Sequence, residues 1–82
     1  MGDERAQKLE ALARLKEAGE RAYDQIYEAH SSSAATAWYS DTKENFHDAI
    51  GLASELGLSA EAEALRQRLA HIKAVFRSQF AE

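Results

Sequence analysis

No proline interrupts this chain, and apolar residues recur every three or four positions along three stretches separated by two short breaks. Proline ends or kinks a helix because it lacks an N–H and clashes with the preceding turn. Without it, helix ends must be set by serine, glycine and acidic residues. A spacing of three and four places side chains on one face of an α-helix. Most of the positions between them hold Ala, Glu, Lys, Arg or Gln, which favour helix. These features predict an all-α fold, an antiparallel up-down-up three-helix bundle.

The first helix is expected over about residues 3–30, with Asp3 as its N-cap. Leu12, Leu15, Gly19, Ala22, Tyr23, Ile26 and His30 share one stripe, and Glu10, Arg14, Glu17, Arg21, Asp24 and Glu28 lie opposite. Gly19 sits mid-stripe, where glycine costs roughly 1 kcal/mol relative to alanine. Its presence there predicts close approach of a neighbouring helix. Ser31, Ser32 and Ser33 form the first break. The second helix is expected over about 34–56, with Ala35, Trp38, Tyr39, Thr42, Phe46, Ala49, Ile50, Ala53 and Leu56 on its stripe. Asp41-Thr42-Lys43-Glu44 also reads as a capping box, which would detach residues 34–40. The stripe runs through that point unbroken and favours one helix. Gly57 suits a left-handed helix end, and Ser59 is expected to cap a third helix over about 60–80. Ala62, Leu65, Leu69, Ile72, Phe76 and Phe80 form its stripe. Links of about three residues make the neighbours antiparallel. The expected core is led by Leu12, Leu15, Ile26, Trp38, Phe46, Leu65, Leu69, Ile72 and Phe76.

The 82 residues are read as one domain, 1–82. Without cysteine the chain has neither disulfides nor cysteine-ligated metals. No apolar run approaches the ~20 residues a membrane helix needs. Met1–Arg5 carries no secretory signal, so a cytoplasmic location is expected. The net charge is −4, which speaks against a general nucleic-acid binder. The charge is uneven. Residues 1–63 hold six Lys or Arg against thirteen Asp or Glu, whereas residues 64–81 hold Arg66, Arg68, Lys73 and Arg77 with no acid.

Little in the sequence points to catalysis. None of the seven serines lies in a glycine-flanked elbow, and there is no glycine-rich phosphate loop. Acids fall on outer faces, where tuned proton affinities are not expected. Glu44-x-x-His47 resembles half of a two-metal carboxylate site, and a dimer would supply the other half. Helical geometry turns both side chains away from the apolar stripe, so neither metal nor any other cofactor is expected. His30 falls at the end of the first helix, where a protonated imidazole complements the helix dipole. His71 lies opposite the core stripe of the third helix. Arg66, Lys73 and Arg77 step by seven and four along one ridge of that helix, with Arg68 on the other flank. Such a ridge binds phosphate or acidic partners, or else pairs with acids of the neighbouring helices. Leu9 and Tyr27 edge the stripe of the first helix, and Val75 lies well off the stripe of the third, next to Arg68 and His71.

The expected function is therefore a non-catalytic helical module for protein–protein contact, including contact with a second copy of itself. Its candidate surface comprises Leu9, Tyr27, Arg66, Arg68, His71, Lys73, Val75 and Arg77. Two other readings remain at this point. One is a nucleic-acid or anion-binding accessory protein that uses the ridge, and the other is a dimeric metal-binding bundle built on Glu44 and His47.

Overall fold

The computed structural model describes residues 2–80 of the chain. It contains three helices: α1 (Gly2–Glu28), α2 (Ser32–Glu55) and α3 (Ser59–Phe80). They run up, down and up, with α2 packed on both neighbours. The result is an elongated, flat bundle with extents of 47 × 20 × 12 Å. The absence of proline is thus answered by helices of 27, 24 and 22 residues.

The two links show how the ends are set. Ser31 is extended (φ −151°, ψ 163°), and its hydroxyl accepts the Ala34 N–H at 3.1 Å. That bond satisfies one of the free donors of the first turn. Ser32 and Ser33 consequently lie inside α2, which starts two residues earlier than their composition suggests. His30, expected in the last turn of α1, lies in the link and is exposed. At the other link Gly57 has φ 77°, its N–H bonds the Ser54 carbonyl at 3.0 Å, and the Leu58 N–H bonds the Ala53 carbonyl at 2.9 Å. This paired pattern closes a helix through a left-handed residue, which glycine tolerates best. Two expected caps shift. Ser59 is the first residue of α3, and the Leu58 carbonyl takes its first bond, from Ala62, at 2.9 Å. Asp3 lies within the first turn of α1, where its charge still complements the dipole.

α2 is continuous through residues 41–44. Thr42 is fully buried, and its hydroxyl donates to the Trp38 carbonyl at 2.8 Å. Its oxygen therefore bonds back within the helix and does not start a new one.

The main core joins Leu12, Phe46, Ala49, Ala53, Ala62, Leu65, Leu69 and Ile72. Gly19, Ala22, Ile26 and Ala35 are buried as well. Gly19 allows the close approach its position predicts: a Cβ there would stand 2.8 Å from Phe46 Cε2. Leu15 and Phe76 are only half-buried. Trp38 departs furthest from the expected core, being 38% exposed. The smaller Thr42, Phe46, Ala49 and Ala53 take the centre of the α2 stripe, leaving the bulky indole at its edge. Tryptophan is seldom completely enclosed for this reason of size.

Candidate functional site

Tyr39, Lys43, His47 and Ile50 follow one another along α2 at helical spacing. Arg66, Leu69, Ala70, Lys73, Phe76 and Arg77 do the same on α3. Because the helices are antiparallel, the two rows face each other with Tyr39 beside Phe76 and Ile50 beside Leu69. Between them lies a cleft of about 680 Å³ bordered by Tyr39, Lys43, Glu44, His47, Lys73, Phe76 and Arg77. It adjoins a smaller one of about 270 Å³ bordered by His47, Ile50, Arg66, Leu69, Ala70 and Lys73. His47 and Lys73 border both, so the two form one groove.

Its wall is aromatic. The Tyr39 and Phe76 rings stack at 3.8 Å with their planes 6° apart. Lys43 Nζ lies 4.5 Å from the Tyr39 ring centroid, a cation–π contact. The aromatic series continues across the bundle. Phe76 stacks on Phe80 at 4.8 Å, Phe80 approaches Tyr27 at 6.5 Å, and Tyr27 meets Tyr23 edge-on at 5.5 Å. The Tyr23 and Tyr27 hydroxyls are 3.1 Å apart, and this hydrogen bond raises the Tyr27 phenol above its ordinary pKa. The Arg68 guanidinium then lies 5.2 Å from the Tyr23 ring. Buried aliphatic residues end at Ile72 on α3. Beyond it, this series of rings holds the last two turns of α3 against both other helices.

The cations sort into two groups. Arg68 is tied to Glu20 of α1 by two bonds of 2.8 and 2.7 Å, which holds Glu20 below the usual carboxylate range. Arg66 pairs with Glu63 on its own helix at 3.4 Å. These two arginines are occupied as the charge balance of the bundle suggests. Among the described residues, Lys43, Lys73 and Arg77 have no carboxylate within 4.0 Å. All three border the groove, where the single acid is Glu44.

The expected surface residues therefore do not form one patch. Arg66, Lys73 and Arg77 come together in the groove. Tyr27 and Arg68 belong to the seam between α1 and α3. Leu9 borders a separate shallow cleft with Leu12, Lys16 and Leu58. His71 is exposed, and Val75 is half-buried. The ridge reading missed Tyr39, Lys43 and His47, which supply the facing wall. Their spacing of four was visible, but Lys43 fell within the residues that read as a capping box.

Glu44 and His47 share this cleft. Among the described residues no three His, Asp or Glu side chains gather as a metal site needs, and the surrounding cations repel a metal ion. None of the described helices is long and apolar enough to cross a membrane. Comparison of the chain with protein-family models, with curated proteins and with solved structures found no match.

Proposed function

We propose that this protein is a non-catalytic helical interaction module that grips an acidic segment of a partner protein in the groove between α2 and α3. The observation that carries this reading is the grouping of Lys43, Lys73 and Arg77, all without a carboxylate partner among the described residues, along an aromatic and aliphatic wall. Surface cations commonly pair or disperse. Three that meet no carboxylate among the described residues, gathered on one groove, give it a positive field within a molecule of net charge −4. From Arg66 to Arg77 the groove follows twelve residues of α3, a rise of about 16 Å at 1.5 Å per step. That length accommodates about three turns of a docked helix, whose apolar face would meet Ile50, Ala70 and Phe76. Its flanking carboxylates would meet the three cations. The titratable side chains of the groove all stand exposed or half-exposed, which supports binding over proton-transfer chemistry. The proposed setting is the cytoplasm, in keeping with a chain that contains no cysteine.

The test is an NMR titration of the labelled protein with a leucine-and-glutamate amphipathic helical peptide. Shifts should concentrate in residues 39–50 and 66–77. They should fade with added salt and disappear in the Lys43→Glu, Lys73→Glu, Arg77→Glu triple variant. A single-stranded oligonucleotide is titrated in parallel. If it moves the same resonances while the peptide does not, the protein-binding reading is wrong and the nucleic-acid one replaces it.

A further inference from the structure

A second groove, of about 490 Å³, lies on the other side of α2, between α1 and α2. Ala18 and Ala22 of α1 line it, and Trp38 of α2 stands at its edge, 38% exposed. Arg21 stands on the α1 wall and Asp41 on the α2 wall. Among the described residues neither forms an ion pair within 4.0 Å, although they border the same groove. The site thus offers a half-exposed aromatic ring, a bed of small side chains and one exposed charge of each sign with no ion-pair partner among the described residues.

We infer that this face binds a second copy of the chain, forming a two-fold homodimer. The argument is self-complementarity. A two-fold contact brings a patch against itself, so every feature must find its complement within the same patch. With the two-fold axis running along the groove, α1 of each copy faces α2 of the other. Each Arg21 then meets the other copy's Asp41, and each Trp38 lies over the other copy's Ala22 and Gln25. A ligand of one charge would leave one of the two walls unmatched; a second copy matches both. Tryptophan and arginine are also the side chains that most often dominate interface energetics. The α2/α3 groove lies on the opposite side of α2 and stays open in this dimer. Dimerisation and acidic-segment binding can therefore fail or hold separately.

Sedimentation equilibrium at micromolar to submillimolar concentration provides the test. The wild-type chain should show twice its 9.1 kDa mass, and Trp38 fluorescence should shift to shorter wavelength as the dimer forms. Trp38→Ala should weaken association at least ~30-fold, the loss of a 2 kcal/mol hot spot. Arg21→Asp alone and Asp41→Arg alone should each be monomeric, because like charges then face each other twice. An equimolar mixture of these two variants should regain the dimer, as both contacts are again between opposite charges. Both positions are exposed, and far-UV circular dichroism verifies that each variant is folded. A wild-type chain that stays monomeric throughout overturns the inference. So does a dimer indifferent to the charge reversals, or a mixture that fails to regain it.

Discussion

Gly19→Ala is the most exacting test of how this bundle packs. The added Cβ would lie 2.8 Å from Phe46 Cε2 and 2.9 Å from Cδ2. Carbon atoms in ordinary contact stand ~3.5–4.0 Å apart, so the methyl intrudes by roughly 0.6 Å. Phe46 is 1% exposed, and its ring is rigid and enclosed by the core. It has no solvent to swing into, so either the ring is displaced or α1 moves off α2. Overpacking of this kind costs about 1–3 kcal/mol. Alanine also returns roughly 1 kcal/mol of helix propensity. The net expectation is a destabilisation of about 1 kcal/mol, or a melting temperature about 4–8 °C lower for a domain of this size. Urea denaturation measures it, with the slope unchanged if only stability has moved. The sign should depend on residue 46. In a Phe46→Leu background the obstructing ring is gone, and Gly19→Ala should stabilise by about 0.5–1 kcal/mol through propensity alone. A stabilising effect in the wild-type background, or the same effect in both, would refute the close-packing argument.

Gly51 and Gly57 should respond in opposite directions when changed to alanine. Gly51 lies within α2 with nothing within 4 Å of an added Cβ, so Gly51→Ala should raise stability by about 0.5–1 kcal/mol in the same denaturation assay. Gly57 holds φ 77°, so Gly57→Ala should cost about 1–2 kcal/mol despite open space around it. Leu69 is 3% exposed in the main core, and Leu69→Ala should cost about 2–5 kcal/mol; a loss below ~0.5 kcal/mol would mean that the side chain is not buried there. Glu20 has a lowered pKa because Arg68 binds its carboxylate. The stabilisation from that pair should be present above the unfolded carboxylate value and be lost as pH falls through the lower folded value. Both side chains are more than one-third exposed, so Glu20→Gln should cost less than ~1 kcal/mol near neutral pH, by urea midpoint, with the gap to wild type narrowing in acid.

The fold was legible because its periodicity is nearly complete and its breaks are chemical. Leu12, Ile26, Phe46, Leu65, Leu69 and Ile72 could be assigned to the core from spacing alone, and all six are buried. Boundaries shifted where a side chain's role turned on a single bond. The hydroxyl of Ser31 moved the start of α2 to Ser32, and the hydroxyl of Thr42 kept the helix continuous. Trp38 was misplaced because a stripe gives direction along the helix surface but not the room available there.

The groove was less legible than the core, for a reason rooted in topology. A helical ridge such as Arg66, Lys73 and Arg77 is a one-helix pattern and can be read from sequence. A groove needs the register of two helices, and register depends on the link between them. The Gly57 turn sets Tyr39 opposite Phe76, and their rings stack at 3.8 Å. That stack brings Lys43 alongside Lys73 and Arg77 at one cleft. Meanwhile Glu63 and Glu20 draw Arg66 and Arg68 into pairs. The basic last helix is thus two systems. Its first two arginines complete the electrostatics of the bundle, and its last two cations join one from α2 to give the groove its charge. The proposed partner site therefore belongs to the helix pair, and reversing Lys43 on α2 should weaken acidic-peptide binding as much as reversing Lys73 on α3.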